Sequence, residues 1–364
     1  MHSILLAGSR SFFGCATQEP APKAQRMPLH AFPTDTPHFV AVRTDRIGDL
    51  LCTLPALSVL RQNWPRCRIT LVVRAPLAPL AQLAQQVDAV VTPDAADFRQ
   101  LKADCAIFFH ADAVLARAAK AAGVPMRIGT FRGLARFTLP THNVPRAANH
   151  TRMHEIDQTM RLLEPLGITY QQGPFNAADL YTLKVDDHTQ VLPAWVGDTR
   201  FKLLLQPLTG GSAPAWPLER YLDVVKQLDP SRFLIIVHGS AAEGEQIRTQ
   251  CPALLTQPHV LTELGTLSLA QLAAVIDLTD GVLGASTGPI HLGAALGRPT
   301  LALHGPGRGF SPVRWGPVGR RAEVLCIDRP TCEDCRRTRD CHCIREIGSA
   351  QVLERLQAWA EPAA

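Results

Sequence analysis

Two parallel α/β domains facing each other across a cleft are the architecture this sequence predicts, and three observations carry it. Short apolar strands alternate with helical stretches of roughly ten to fifteen residues from residue 38 to 129. The rhythm breaks over an irregular stretch and restarts at residue 201. At 364 residues the chain has room for two domains. Strands written as continuous apolar runs and separated by helices belong to parallel sheets covered on both faces. Ligands in such sheets bind beyond the carboxyl ends of the strands, so the functional residues are expected there.

Residues 1–37 come first. "MHSILLAGSRSFFGC" imitates a signal peptide, but its apolar run is short and Arg10 interrupts it. The Pro-, Gln- and Ala-rich stretch after it lacks periodicity and reads as a disordered leader, with Met27 an alternative start. "HFVAV" is the first strand, 50–63 a helix and "RITLVV" the second strand. A helix near 77–86, "DAVV", a helix over 96–102, "CAIFF", a helix over 112–122 and "MRIG" continue the pattern. Residues 131–150 read as loop and 151–166 as a helix stopped by Gly167. The first domain thus spans 38–170, and the polar stretch 171–200 is the interdomain connection.

The second domain spans 201–348. It runs "FKLLLQP", helix 217–228, "RFLIIVHG", helix 243–250, "HVL", helix 268–276, "GVLGAS", helix 289–296 and "TLALHG". A last helix within 349–364 is expected to pack back on the first domain.

Hydrophobic residues make up 46% of the chain and charged residues 19%, enough for packed cores. The net charge of +5 is spread out, and the Arg-rich stretches 127–136 and 308–321 suit local anion contacts better than a nucleic-acid surface. No run approaches the ~20 apolar residues of a membrane span. Six of the ten cysteines stand apart, as in a reducing compartment, while Cys332, Cys335, Cys341 and Cys343 cluster as CxxC then CxC. Four thiolates at that spacing suit a structural zinc or iron, with paired disulfides or free thiols the other outcome.

Three stretches carry chemistry. "RTDRIGDLLCTLPAL" crowds Arg43, Asp45, Arg46 and Asp49 onto the turn after the first strand, where a carboxylate either caps the helix or acts as a base. Gly48 opens the backbone beside Asp49 and favours it over Asp45. Pro55 requires either a kinked helix or one starting near it.

"GASTGPIHLGAALGRPT" enters a short helix through small residues, with Ser286 or Thr287 as cap, Gly288 and Pro289 in the first turn and Gly297 closing it. Such a helix start suits a diphosphate, and His291 is either a phosphate contact or a core histidine. "QPLTGGSAPAWPLERY" repeats the design with Thr209, Gly210, Gly211 and Ser212. This last stretch lacks the Walker ending and "GPGRGF" at 305–310 fails the dinucleotide glycine spacing, so kinase and NAD-enzyme assignments find no support.

Together with "RIGDLLCTLPALSVLRQNWP" and the Cys-rich tail, these motifs resemble glycosyltransferase family 9, the heptosyltransferases of lipopolysaccharide core assembly. The resemblance runs from about residue 38 to the end, with the Gly-Asp and Thr-Gly-Pro-x-His motifs about 240 residues apart. It implies a GT-B fold with acceptor on the first domain and nucleotide-sugar on the second. It also implies inverting transfer needing no cofactor or catalytic metal, with Asp49 as general base.

Thr209, Thr287, Gly288 and His291 would then meet the donor pyrophosphate; Glu243 or Glu245, after the "VHGS" strand end, is either an acceptor from base or ribose hydroxyls or a surface helix-start acid. Arg43 and Arg46 would bind acidic acceptor groups or hold Asp49 ionised. The sequence departs from some family members in having Ser286 where they have Asp, and Pro214 where they have a donor-side Lys. Lys202, Arg308 or a first-domain arginine is the expected compensation.

The function expected is that of a cytoplasmic enzyme moving a sugar, heptose from ADP-heptose, to a lipopolysaccharide-core or lipid-linked acceptor at the inner face of the membrane. A GT-B transferase or epimerase using a UDP-sugar, an autotransporter heptosyltransferase and a degenerate binding module are the competing expectations.

Overall fold

A computed structural model of the chain describes residues 29–170, 173–185, 188, 194–307, 309–329 and 341–361. The first half runs β1 (His38–Val42), α1 (Ile47–Asn63), β2 (Arg68–Val72), α2 (Ala78–Ala81), β3 (Ala89–Val91), α3 (Phe98–Leu101), β4 (Cys105–Phe108), α4 (Ala113–Ala121), β5 (Met126–Gly129), α5 (Ala135–Thr138), β6 (His142–Asn143) and α6 (Glu155–Met160). The second runs β7 (Phe201–Gln206), α7 (Leu218–Gln227), β8 (Phe233–Gly239), α8 (Ala241–Gln250), α9 (Pro252–Leu255), β9 (Val260–Leu264) and α10 (Leu269–Asp277). It continues through β10 (Gly281–Ala285), α11 (Gly288–Ala295), β11 (Thr300–His304), α12 (Pro312–Trp315) and β12 (Ala322–Cys326).

Both sheets are parallel and share one order: β3-β2-β1-β4-β5-β6, and β9-β8-β7-β10-β11-β12. The central strands β1 and β10 are buried at every residue, as their unbroken apolar sequences require. In each sheet the order reverses beside its first strand, between β1 and β4 and between β7 and β10. Those crevices are where such folds accept ligands. One apolar core, including Leu57, Ile290 and Leu292, runs through both halves.

Several expectations are corrected. Residues 29–37 are not a disordered leader: Phe32 packs edge-on against Phe39 and Trp64, and His30 N–H bonds the Leu166 carbonyl. The remainder of the leader, 1–28, lies outside the described residues. The expected helix 77–86 is a single α-turn after a 3-10 turn, broken where Ala84 bridges Leu183. The stretch 151–166 is six α-helical residues that tighten into 3-10 over Arg161–Leu166, where Pro165 removes an amide donor.

Much of the expected connection packs on the first half. Ser58 Oγ donates to the Leu180 carbonyl at 2.6 Å, and Ala177 is fully buried. Strand β12 was not expected; its half-exposed sheet edge lacks the fully apolar signature.

The helix Ser349–Trp359 packs on the second half, not the first. Its Val352 and Leu356 are buried with Leu203, Trp216 and Tyr221, and the Trp359 indole N–H donates to Glu323. Its amphipathic face specified burial without naming the surface.

Candidate active site

The chain leaves β1 directly into Arg43, which is only 2% exposed. Its Nη1 donates to the Phe109 carbonyl at 2.7 Å and its Nη2 to Asp49 Oδ1 at 2.7 Å. Its Nε lies 2.8 Å from Asp45 Oδ1, and Nη2 is 3.8 Å from Glu155 Oε1. Three carboxylates therefore surround one buried guanidinium, and it cannot also reach an acceptor. Arg43 is in contact with Asp49 and turned away from solvent. Glu155, itself buried, meets Arg314 from the second half at 3.2 Å.

Asp49 is not the helix cap. Helix α1 begins at Ile47, the cap position is Arg46, and Arg46 makes no capping bond and is exposed to solvent. The helix runs through Pro55 because every residue from Leu50 to Leu60 is buried, which outweighs the lost amide bond. Asp49 thus projects from the first turn with 17% of its side chain exposed, open to a substrate while Arg43 is not.

The two aspartates titrate in opposite directions. Burial raises Asp49 above the usual carboxylate range, and the charges of Asp45 and Glu155 add to this against Arg43. Burial also acts to raise Asp45, but the His110 hydrogen bond and Arg43 together lower it. His110, 3.2 Å away, is raised in return by that hydrogen bond. A pair of acids pushed apart in this way leaves Asp49 as the better proton acceptor and Asp45 as a standing charge.

Across from this cluster stands α11. Thr287 occupies its cap position, but its side chain makes no capping bond, and Oγ1 is buried without a partner. The half-buried Ser286 follows β10, and Pro289 contributes no amide. The first turn of an eight-residue helix is therefore left uncapped by any side chain, as an anion site requires.

Two glycines bring the halves together here. A Cβ on Gly48 would stand 3.3 Å from the His291 ring, and one on Gly288 would stand 2.8 Å from Ile47 Cβ. The first turns of α1 and α11 thus abut, with His291 between them. Burial, aided by His304 and His154, pushes His291 down to about 3, so it works as a neutral ring. His154 also joins the halves, with Nε2 2.9 Å from the Gly316 carbonyl.

The loop after β7 turns through Gly210 and Gly211, both in the left-handed region at φ 54° and 75°. Ser212 Oγ donates to the Thr209 carbonyl and Thr209 Oγ1 to that of Ala213, which closes the turn on itself. Glu243 completes the capping box of α8 with Ser240 through Oε2, while Oε1 lies 3.8 Å from where a Gly210 Cβ would be. Lys202 does not compensate for the missing lysine. It is the second residue of β7, at the amino end of the strand, and binds the Asp198 carbonyl and Asp280. Arg308 lies outside the described residues.

Sequence reasoning missed Glu155, Arg314 and His110 as members of the cluster, since nothing local marks a glutamate in a helix's first turn as special. It also missed an open cleft of about 390 Å³ beyond the carboxyl ends of β5 and β6, lined by Thr130, Arg132, Arg136, Asn143, Arg146 and His150. The Arg-rich stretch 127–136 was its trace in the sequence.

The metal expectation gains no support. Cys332 and Cys335 lie outside the described residues. Among the described residues no three His, Cys, Asp or Glu side chains converge as a metal site. Cys341 Sγ packs over Gly305, and Cys343 Sγ accepts from Arg329 at 3.4 Å. Cys326, expected to stand alone, is close enough to both for their charges to raise it, after burial, to about 12. No helix among the described residues is long and apolar enough to cross a membrane.

Comparison with known proteins gives a consistent result. Residues 98–344 match the model of Glycosyltransferase family 9 (heptosyltransferase). Lipopolysaccharide heptosyltransferase 3 of Escherichia coli is 22% identical over 282 residues, covering 71% of this chain and 79% of that one. Among solved structures, the E. coli ADP-heptose lps heptosyltransferase II superposes with a TM-score of 0.68 at 23% identity, over 89% of this chain and 98% of that one. The family 9 glycosyl transferase of Veillonella parvula reaches 0.72 at 20% identity, over 91% and 99%. The fold is the GT-B fold of those proteins.

Proposed function

Because the chain belongs to glycosyltransferase family 9, the heptosyltransferases of lipopolysaccharide synthesis, we propose that it transfers heptose from ADP-heptose, with inversion, to an acidic core-saccharide acceptor at the cytoplasmic face of a membrane. Asp49 takes the proton of the acceptor hydroxyl as its oxygen attacks the anomeric carbon. The bond from that carbon to the diphosphate breaks on the opposite face, and ADP leaves with the electron pair. Arg43 holds Asp49 in place and Asp45 remains charged beside it.

The departing diphosphate is stabilised by the uncapped first turn of α11, at Ser286, Thr287, Gly288 and Pro289, by His291, and by the turn Thr209–Ser212. Neutral His291 contributes a hydrogen bond rather than a charge. Glu243 Oε1 accepts from the nucleoside. The acceptor's acidic groups are met by Arg46 and by the arginines of the cleft beyond β5 and β6. No cofactor takes part in this step.

The observation that carries this assignment is the abutment of α1 and α11 through Gly48 and Gly288. It supports the reading because a carboxylate with a raised pKa lies next to a helix start that no side chain caps, with one element from each half. The test is direct transfer. Purified protein is incubated with heptose-deficient core oligosaccharide and either ADP-heptose or UDP-sugars, and products are read by mass spectrometry and anomeric NMR. A product one heptose heavier, of inverted configuration and formed only from ADP-heptose, is expected. Transfer from a UDP-sugar, or retained configuration, would overturn the proposal.

A further inference from the structure

From Ala113 to His154 the chain contains no Asp or Glu, yet seven Lys and Arg: Arg117, Lys120, Arg127, Arg132, Arg136, Arg146 and Arg152. In a chain holding 32 acidic residues among 364, a stretch of 42 without one is not an average surface. The same stretch holds the three most exposed large hydrophobic side chains among the described residues. They are Leu134 at 83%, Phe137 at 71% and Val114 at 68%; the next, Val313, is at 48%. Scattered apolar residues on a surface need no explanation, but these three fall within one basic stretch of sequence that has no acid between Asp112 and Glu155.

The fold holds them outward. Phe131 and Leu139 bracket the turn and sink into a core with Leu115, Ala116 and Ala119 of α4. Lys120 Nζ donates to the Thr138 carbonyl and Arg127 Nε to that of Leu139, both at 2.9 Å. With its two ends buried and its backbone tied down, the segment has no local way to cover Leu134 or Phe137. The Arg136 guanidinium lies 4.4 Å from the Phe137 ring centroid, which sets a cation beside an exposed aromatic.

Position completes the case. Strands β4 and β5 are neighbours, Val114 opens the helix after β4, and Leu134 follows β5. Both therefore lie on the rim at the carboxyl ends of the first sheet, the rim from which Asp49 projects. We propose that the face made by α4, the Leu134 turn and α5 docks the protein onto an anionic lipid bilayer. Leu134, Phe137 and Val114 enter the headgroup boundary while Arg117 and Lys120 of α4 meet lipid phosphates. Neither part suffices alone, since a few apolar side chains or a few charges give only marginal membrane affinity, but two signals together give stable attachment. Docking at this rim turns the cleft toward a substrate that lies in the membrane.

The test is sedimentation of the full chain with vesicles that contain no glycolipid. Wild type is expected to pellet with phosphatidylethanolamine–phosphatidylglycerol vesicles but not with phosphatidylcholine alone, and roughly 0.5 M NaCl should release it. Leu134→Ser/Phe137→Ser should weaken partitioning about tenfold or more with melting temperature unchanged, because both side chains are already in water. Arg117→Glu should weaken it through charge.

The proposal fails if the double variant pellets like wild type, or if phosphatidylcholine binds equally. It fails also if vesicles bind only when they carry acceptor glycolipid. Concentration-dependent dimers in sedimentation velocity, abolished by the double variant, would assign the face to a second copy instead. Vesicle binding by Asp49→Asn should match wild type, so failure of the transfer reaction leaves this result readable.

Discussion

Replacing Asp49 by Asn removes one proton-accepting charge and little else. The amide oxygen can still accept from Arg43 Nη2, now 2.7 Å away, and Arg43 keeps Asp45 at 2.8 Å and the Phe109 carbonyl at 2.7 Å. The buried guanidinium is therefore not left unpaired, and stability should change little: the weakened hydrogen bond is offset by relief of a buried carboxylate that burial, Asp45 and Glu155 already hold raised. Turnover loses the general base, which costs roughly 10²–10⁴-fold.

The pH profile adds a second readout. Asp49 is raised, chiefly by burial, so the base protonates, and kcat falls, at a pH above the ordinary carboxylate range. That acid limb should disappear in Asp49→Asn. Steady-state kinetics with ADP-heptose, calorimetric donor binding and urea unfolding measure all three quantities. Asp45→Asn serves as the control. Because Asp45 lies lowered and already paired with His110, its variant should keep turnover within about tenfold. If Asp49→Asn turns over at near wild-type rate, Asp49 is not the base and the assignment of this site is wrong.

Other outcomes follow from the same geometry. His291→Ala should weaken ADP-heptose binding by about 1–3 kcal/mol. That loss should be flat from pH 5 to 8, because a ring lowered to about 3 stays neutral there; affinity that rises on acidification would show a charged role instead. Gly288→Ala places a Cβ 2.8 Å from Ile47 Cβ, so urea unfolding should show a loss of about 1–3 kcal/mol, and unchanged stability would mean the halves separate freely at this contact. Leu356→Ala, at a fully buried position on the terminal helix, should cost about 2–5 kcal/mol; a smaller loss would place that helix off the core. Chelation with EDTA should leave turnover intact, and loss reversed by one added metal would refute transfer through Asp49 and the helix start alone.

The local pattern determined the two sheets, because burial on both faces writes a strand as an unbroken apolar run, as in "HFVAV" and "FLIIVHG". It also marked the turn after β1, the start of α11 and the glycine turn after β7, since left-handed backbone and exposed helix starts demand particular small residues. Where packing competes with propensity, the sequence was silent. Helix α1 runs through Pro55 because the whole run from Leu50 to Leu60 is buried and holds it, and the terminal helix chose the second half although its apolar face fits either in principle.

The charges were decided only in three dimensions. Nothing in the sequence joins Glu155 to Arg43, Asp49 and Arg314, residues drawn from both halves. Burial acts to raise both Asp45 and Asp49, four positions apart; Asp45 falls because His110 and Arg43 outweigh it, while Asp49 stays raised beside Asp45 and Glu155. A pKa depends on dielectric surroundings and on charges a few ångströms away, and those distances exist only once both sheets have formed and met through Gly48 and Gly288.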